Sequence, residues 1–394
     1  MNFLSKYKFL IILLILLIYT LSTFNLVEVG IMEARNFQSA NEMINNKNWL
    51  FPTLNGEPRY QKPPLPTWLT ALSVLIFNSK SIIFYRIPAI IFLLIISVTN
   101  YFFSLKIGFK KNESIINGLI TLSSIYIIAI IFEAPWDIFT HGFMLIAIYY
   151  LYQSLQTKFI TKTNFIIGLM IGLSIMSKGP ISIYVLLIPF ILSFIMVYKK
   201  FNTNGIIQII LVAIISGCAW YAYIYIFDEK TLLNTGLKET KNWFNYNIKP
   251  FYYYWNFFIN SGIWAIPAIT SIILPFTNII KPINKNHLLT TYWVILSLIF
   301  LSIVPEKKTR YLMPVLIPLA LNTGFYIKYI ITFSKEKIKK SYIPIYINFI
   351  LISIAGIIIP SIHIYNYGID IFSLISIFIG LYIIISLYKQ KFEK

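Results

Sequence analysis

The sequence predicts an all-α protein that crosses a membrane many times. Of its 394 residues 58% are hydrophobic and only 12% are charged, and the mean hydropathy is +0.73. Soluble domains carry about 25% charged residues. Apolar runs of the roughly 20 residues needed to span a bilayer recur along the whole chain. We therefore expect a polytopic bundle of about twelve transmembrane helices.

The apolar runs place the predicted spans in order along the chain. They lie at residues 9–27, 87–105, 113–132, 138–156, 164–181, 182–198, 206–226, 257–279, 288–304, 311–332, 342–362 and 370–388. No small-residue cleavage site follows the first span, so we expect it to be retained as a helix. Residues 1–332 form the predicted core, with a first outer loop at about 28–86. Residues 333–394 form a predicted pair of spans without a soluble C-terminal domain.

The net charge of +19 is distributed as a topology signal. If the N-terminus is cytoplasmic, lysines occur in every inward loop and at both termini, as the positive-inside rule requires. The excess charge then reflects orientation and an affinity for anionic lipid head groups. We predict cytoplasmic termini in a bacterial-type inner (plasma) membrane, with membrane lipids as partners and no nucleic acid.

The same topology collects unlike charges on the external side. A charge at the bilayer centre costs roughly 2.5–3.5 kcal/mol, so these groups should lie at or just inside the outer interface. Loops far apart in sequence that supply unlike charges to one membrane face are typical of an interfacial active site. Lys307 and Lys308 are interpreted as a solvated run. The set comprises Glu28, Glu33, Arg35, Glu42, Arg59, Lys62, Arg86, Glu133, Asp137, Lys178, Glu306, Lys307, Lys308 and Arg310.

The first outer loop has local signals of its own. Residues 32–44 carry apolar side chains at helical spacing, which predicts a helix along the membrane surface. Asn55 and Gly56 indicate a tight turn. The two prolines after Lys62 bias that lysine towards an extended backbone. Residues 67–77 are apolar but only about half a span long, so this segment should be interfacial or re-entrant.

Several motifs together resemble a known family. In the first loop they are Glu33-Ala34-Arg35, Glu42-Met43, Asn48-Trp49-Leu50, Pro52, Asn55-Gly56, Tyr60, Lys62-Pro63-Pro64-Leu65 and Trp68-Leu69; later ones are Arg86-Ile87-Pro88, the Lys178-Gly179-Pro180 segment, Trp220-Tyr221 and Arg310-Tyr311-Leu312-Met313-Pro314. They resemble the aminoarabinose-transferase-like glycosyltransferases, relatives of the protein O-mannosyltransferases with the GT-C membrane fold. The resemblance extends from the first loop to about residue 320.

The resemblance implies an enzyme that uses a polyprenyl-phosphate-linked sugar. The sugar, a hexose or a pentose, would pass to a lipid, protein or glycan acceptor on the non-cytoplasmic face. A phosphate leaving group needs cations, and an incoming hydroxyl needs a carboxylate that accepts or orients its proton. The implied roles are donor-phosphate binding for Arg35, Lys62, Lys178 and Arg310, substrate binding for Arg59, Tyr60 and Tyr311, and catalysis for Glu33 and Asp137.

The sequence departs from the family at two positions. The usual Asp-Glu pair of the first motif reads Met32-Glu33, so the favoured catalytic aspartate is absent. We predict Glu33 as the base and Asp137 as the orienting carboxylate, with the reverse assignment and loss of activity left open. The glutamate that some relatives place before Lys-Pro-Pro is Gln61, a poor metal ligand. We therefore predict no metal and no other required cofactor.

Blander interpretations stay open for the same residues. A transporter or flippase of lipid-linked sugars would place charges at the midplane on broken helices with internal repeats, and we find no convincing repeat. A catalytically silent lipid-binding relative is compatible with Met32 and Gln61. Arg35 and Lys62 are alternatively head-group anchors, because basic side chains snorkel at interfaces. Arg86 is interpreted mainly as a structural partner.

Overall fold

The computed structural model describes residues 27–133, 135–157, 160–199, 204–277, 284–333, 339–369 and 371–388. The described chain is almost wholly helical, and its β structure is one two-stranded hairpin. The predicted first span lies outside the described residues apart from residue 27, as do the terminal lysines.

The described helices follow the predicted spans closely. Each of the other eleven predictions coincides with a helix or with a run of consecutive helical segments. The helices are α1 (Ile31–Asn46), α2 (Leu65–Phe77), α3 (Ile82–Lys106), α4 (Lys111–Ser123), α5 (Ile125–Glu133), α6 (Pro135–Gln156), α7 (Thr161–Lys178), α8 (Ile188–Tyr198), α9 (Ile206–Asn245), α10 (Ala265–Ile273), α11 (Lys285–Ile303), α12 (Met313–Phe333), α13 (Lys339–Tyr367) and α14 (Ile371–Tyr388). A π-helical turn at Ile183–Leu187 precedes α8, and 3-10 segments occur at Phe251–Tyr254, Phe257–Trp264, Leu274–Phe276 and Thr309–Leu312.

The protein is an integral membrane protein. By length and composition, seven of its described helical spans are suited to crossing a membrane. An eighth is obtained if α4 and α5, which are bent by 43° at their junction, form one span. The prediction of twelve spans therefore stays a prediction. At 13 residues, α2 is too short to cross, which agrees with the half-span predicted there.

The helix α7 packs between α6 and α9. Its contact with α9 is made through glycines, as in the small-residue interfaces of membrane helices. A Cβ added at Gly172 would lie 1.8 Å from Ser216 Oγ and 2.9 Å from the backbone nitrogen of Gly217. Glycine is thus required for this close approach. The packing fixes the end of α7, where Lys178 is the last helical residue.

The predicted first outer loop packs its helix α1 against α2. Asn36 of α1 donates to Thr70 Oγ1 at 2.9 Å and accepts from Thr67 Oγ1 at 2.8 Å, and all three side chains are buried. The helix predicted over residues 32–44 is thereby confirmed, and polar side chains anchor it to the apolar helix below.

The predicted turn joins strands β1 (Thr53–Leu54) and β2 (Glu57–Pro58). Asn55 and Gly56 have φ values of 56° and 80°, the left-handed conformation that this short hairpin requires. Glu42 of α1 accepts hydrogen bonds from the backbone N–H groups of Asn55, at 2.7 Å, and Gly56, at 3.3 Å. Glu42 is therefore structural: it ties the turn to α1.

Candidate active site

An ion pair between Lys178 and Asp137 lies at one end of the bundle. Asp137 is in the first turn of α6, and its side chain is almost completely buried. Lys178 closes α7 because Gly179 follows with φ 83° and Pro180 cannot continue the helix. Lys178 Nζ donates to Asp137 Oδ1. The two helix ends thus bring together residues 41 positions apart.

Lys62, in the chain between the hairpin and α2, belongs to the same electrostatic environment. Its pKa is lowered to about 8, first by burial and then by the positive charge of Lys178. Arg310 lowers this pKa further, whereas the carboxylates of Glu239 and Asp137 raise it. Burial is the largest cause of this shift, and the smaller contributions show that Lys178 and Arg310 are near enough to act on the Lys62 charge. A group of neighbouring cations attracts an anion.

The ring of Tyr311 lies among three cations. Lys178 Nζ is 5.0 Å from its centroid, Lys308 Nζ is 5.7 Å away, and the Arg310 guanidinium carbon is also 5.7 Å away. These are cation–π distances. Tyr311 OH also donates to Glu306 Oε1 at 3.2 Å. One cluster therefore contains two predicted phosphate ligands, Lys178 and Arg310, and the predicted substrate residue Tyr311. Lys62 and Asp137 belong to the same cluster.

Lys307 and Lys308 do not form the solvated run that the sequence predicts. Lys307 is 2% exposed and donates to the backbone oxygen of Val304. Lys308 forms an ion pair with the buried carboxylate of Glu306. That interpretation is wrong because the segment folds back against the 3-10 turn at Phe251–Tyr254, where Tyr254 OH donates to the Lys308 carbonyl.

Glu33, the predicted base, is paired with Arg86. Arg86 Nε and an Nη each donate to one carboxylate oxygen of Glu33 at 2.7 Å, and both residues are 1% exposed. The Arg86 guanidinium also donates to the Val27 carbonyl at 3.0 Å and lies 4.9 Å from the Phe132 ring. Arg86 is therefore the structural partner that the sequence predicts, and it engages both oxygens of Glu33.

Three other predicted site residues differ in exposure. Arg35 is exposed on α1. Arg59 is largely buried; it donates to the Arg35 carbonyl at 2.9 Å and to Ser39 Oγ at 3.0 Å, and it lies 5.0 Å from the Trp136 ring. Tyr60 is 4% exposed and donates to Asp228 Oδ2 at 2.8 Å. Arg59 and Tyr60 thus connect the hairpin to α1, α6 and α9.

Sequence reasoning missed a buried histidine next to Asp137. His141 lies one helical turn after Asp137, and its Nε2 is 3.7 Å from Asp137 Oδ1. Ser182 Oγ is 2.7 Å from His141 Nδ1. Spacing of four residues places two side chains on one helix face, so the sequence did contain the signal.

An apolar groove of about 330 Å³ lies among the first loop, α2, α7 and α9. Tyr60, two residues before Lys62, packs its ring 6.1 Å from the ring of Trp220, and Met176 lies two residues before Lys178. The groove is lined by Leu50, Trp68, Met176, Ala219, Trp220 and Tyr223. The groove thus shares the first loop with Lys62 and the helix α7 with Lys178.

No group of three or more His, Cys, Asp or Glu side chains that could hold a metal ion occurs in the described part of the chain. Gln61 is exposed in the loop before α2.

Comparison with known proteins supports the resemblance that the sequence motifs indicate. The dolichyl-phosphate-mannose-protein mannosyltransferase family model matches residues 61–226. The chain is 28% identical over 339 residues to the undecaprenyl phosphate-alpha-4-amino-4-deoxy-L-arabinose arabinosyl transferase of Wigglesworthia glossinidia brevipalpis, covering 81% of this chain and 58% of that one. It is 26% identical to an uncharacterized protein of Aquifex aeolicus, covering 80% and 63%. It therefore spans about three fifths of the length of these relatives.

Solved structures share the architecture. The crystal structure of ArnT from Cupriavidus metallidurans bound to undecaprenyl phosphate aligns with a TM-score of 0.73 at 14% identity, covering 98% of this chain and 71% of that chain. The chain has the GT-C membrane fold. An oligosaccharyltransferase from Archaeoglobus fulgidus aligns with a TM-score of 0.51 at 14% identity, over 88% of this chain and 54% of that one. The resemblance predicted from the sequence is confirmed.

Proposed function

We propose that this GT-C protein is a glycosyltransferase that moves a sugar from a polyprenyl-phosphate donor to an acceptor hydroxyl on the non-cytoplasmic face of the membrane. One observation carries the proposal: Lys178 is paired with Asp137 at one end of the bundle, and the charges of Lys178, Arg310 and Asp137 all act on Lys62 in the loop before α2. The names of the arabinosyl transferase relatives, and the undecaprenyl phosphate bound to the ArnT neighbour, agree with it.

The cations suit the leaving group of this reaction. When the bond between the anomeric carbon and the phosphate oxygen breaks, its electron pair stays on the phosphate. Cations already in place stabilise that developing charge without reorganisation. Arg310 can hold a phosphate through a bidentate fork, and Lys62 and Lys178 act as point charges. Arg35, exposed on α1, is proposed as a further phosphate ligand from the resemblance alone.

Asp137 is the carboxylate that we favour as the base. Its Oδ1 is occupied by Lys178, but its buried Oδ2 finds no hydrogen-bond donor among the described residues. Oδ2 can take the proton of the acceptor hydroxyl as that oxygen bonds to the anomeric carbon. Both oxygens of Glu33 are held by Arg86, so we reverse the roles predicted from the sequence.

The remaining features determine how the substrate lies. The groove beside Trp220 is proposed to take the first isoprene units of the donor lipid, because it is apolar and is lined by the helix that ends at Lys178. Tyr311, at the centre of the cations, is proposed to contact the sugar phosphate. Arg59 and Tyr60 are proposed to shape the pocket wall through their contacts. A pentosyl donor is the first to test, since the arabinosyl relatives are named for one.

A transfer assay tests the function whatever the acceptor is. Purified protein in nanodiscs is given synthetic undecaprenyl-phosphate-linked pentoses and hexoses, with lipid, peptide and glycan acceptors, and released undecaprenyl phosphate is measured. We expect release with at least one donor. Lys178→Ala should abolish it, because Lys178 holds the leaving phosphate.

Lys328→Ala is the matched control. Lys328 lies in another transmembrane helix and also pairs with a carboxylate, Glu113, at 3.4 Å, so the variant loses an ion pair outside the cluster. It should keep its activity. Undecaprenyl phosphate binding without release from any donor would instead identify a silent lipid-binding relative, and donor movement between leaflets without release would identify a flippase.

A further inference from the structure

A buried chain of polar groups leads away from Asp137 into the bundle. It runs from Asp137 through His141 and Ser182 to Thr140 and Ser174, all of them buried. In a membrane protein such groups are costly unless each finds a partner. The chain ends at a carboxylate oxygen, which makes it a candidate support for the proposed base.

The hydroxyl groups in this chain form a connected set of hydrogen-bond contacts. Thr140 Oγ1 donates to the Ser174 carbonyl at 2.9 Å, and Ser174 Oγ donates to the Thr140 carbonyl at 2.7 Å. Both hydroxyl protons are thereby committed. Ser182 Oγ lies 2.7 Å from His141 Nδ1 and 3.2 Å from Thr140 Oγ1. The 2.7 Å contact fits either tautomer of His141, because Ser182 Oγ can donate to Nδ1 or accept from it.

The carboxylate of Asp137 favours one tautomer of His141, because the other would turn the lone pair of Nε2 towards that negative charge. With Nδ1 accepting, the ring hydrogen is on Nε2, which faces Asp137 Oδ1 at 3.7 Å. Protonation of both nitrogens would place a second positive charge beside Lys178 with one carboxylate to balance both, which is costly in a buried site. The neutral ring with hydrogen on Nε2 lets Nδ1 accept from Ser182 and turns the N–H dipole of Nε2 towards Asp137 Oδ1.

We infer that His141 is a positioning residue for Asp137, a role that rests on the proposed function. Lys178 and the Nε2–H of His141 both face Oδ1, while Oδ2 has no donor among the described residues. The carboxylate is thereby fixed in the rotation that directs its unoccupied oxygen towards the acceptor. Without His141 the carboxylate can rotate, bring both oxygens to Lys178 and lose the oxygen that accepts the proton.

Steady-state kinetics of undecaprenyl phosphate release test this role. His141→Phe keeps the volume of the ring but removes Nε2–H, so kcat should fall about 10- to 100-fold, the cost of a misplaced catalytic group. KM for the donor should change less than about threefold, because the phosphate ligands are untouched. His141→Gln places an amide N–H near the Nε2 position and should recover most of kcat.

A double variant separates positioning from mere packing. In Asp137→Asn, adding His141→Phe should lower kcat no further, because His141 acts only through Asp137. The matched control is His287→Phe: His287 is equally buried in the bundle, contacts Ser271 Oγ at 3.2 Å, and lies in the first turn of α11. It should lose stability but keep kcat. Independent losses in the double variant, or no loss in His141→Phe, would overturn the inference.

The tautomer provides a test that needs no activity. The ¹⁵N spectrum of histidine-labelled protein, with the His141 signals identified by their loss in His141→Gln, should show a neutral ring with hydrogen on Nε2 at pH 7. Hydrogen on Nδ1 would overturn the inference even in an active enzyme. Failure of the wild type to release undecaprenyl phosphate refutes the proposed function, and the positioning role with it, whereas the spectrum still reports the contact.

Discussion

At the residue scale, the two candidate carboxylates differ in how their oxygens are occupied. Both oxygens of Glu33 accept from Arg86 at 2.7 Å. Removing one partner of such a buried ion pair strongly destabilises the folded protein. Asp137 shares one oxygen with Lys178 and leaves the other without a donor among the described residues. Glu33 therefore serves the fold, and Asp137 is available for chemistry.

This difference predicts two distinct phenotypes. Asp137→Asn should keep the shape of the site and lower kcat at least about 100-fold, because the proton acceptor is lost. Glu33→Gln should mainly lower the thermal unfolding midpoint, since it removes the carboxylate charge that balances the buried Arg86 guanidinium. Comparing kcat with that midpoint for each purified variant checks the assignment. A stable but inactive Glu33→Gln protein beside an active Asp137→Asn protein would restore the roles predicted from the sequence.

Lys62 predicts a pH dependence of phosphate binding. With a pKa of about 8, Lys62 is charged below that pH and neutral above it, so affinity for undecaprenyl phosphate should fall as the pH rises. If its charge is needed, affinity drops about tenfold between pH 7.5 and 9. Lys62→Arg should abolish this decline, because arginine stays charged. Binding titrations of both proteins across this range make the comparison. An equally steep decline in Lys62→Arg would assign the titration to another group.

At the element scale, the position of Lys178 depends on how closely α7 and α9 approach. The contact at Gly172 leaves no room for a Cβ without displacing Ser216 or the backbone of α9. The ends of α6 and α7 then bring Asp137 and Lys178 together, and the loop before α2 adds Lys62. The site is thus formed by helix ends whose spacing is determined within the bundle.

Gly172→Ala should therefore destabilise the protein by about 1–3 kcal/mol through overpacking. It should also weaken undecaprenyl phosphate binding, because α7 must shift. The matched control is Gly236→Ala in the outer part of α9, where an added Cβ meets no atom within 4 Å. That variant should be neutral or slightly more stable, since alanine is the better helix former. Chemical unfolding of both variants measures their difference in unfolding free energy. Equal stability of the two variants would contradict the requirement for glycine at the contact between α7 and α9.

Much of this arrangement follows from the sequence, and the remainder depends on packing. Loop motifs and the alternation of lysine-bearing ends were enough to group Lys62, Lys178, Arg310 and Asp137 on one face. The pairing of Glu33 with Arg86 was not predictable, because it depends on how α1 lies across α3, 53 residues further along. Burial of Lys307 likewise depends on a distant 3-10 turn. His141 was predictable from its spacing to Asp137, since four residues along a helix place both side chains on one face.

At the scale of the whole molecule, the two ends of the bundle differ in chemistry. Asp137 begins α6 at the end that carries the cluster, and Gln156 ends the same helix 19 residues later. At 1.5 Å per residue the two are separated by about 28 Å, close to the thickness of the bilayer core. The far end has a second cavity, lined by Lys106, Tyr152, Gln153, Gln156, Thr157, Tyr198 and Asn286. The orientation proposed here places that end in the cytoplasm.

Single cysteines test this orientation in a Cys218→Ser background. Asn55, in the hairpin turn, and Thr157, just after α6, are both exposed. A membrane-impermeant maleimide should label Asn55→Cys from the non-cytoplasmic side and Thr157→Cys only after the cytoplasmic face is opened. The reverse pattern would place the cluster in the cytoplasm and contradict the proposed topology.

The central claim is that the cations around Asp137 hold the phosphate of a polyprenyl lipid. An experimental structure of the protein in nanodiscs with undecaprenyl phosphate tests it most directly. We predict phosphate oxygens within hydrogen-bond distance, about 3 Å, of Lys62 and Arg310, with the lipid chain in the groove beside Trp220. A phosphate at the opposite end of the bundle, beside Tyr152 and Asn286, with the cluster unoccupied, would contradict the account.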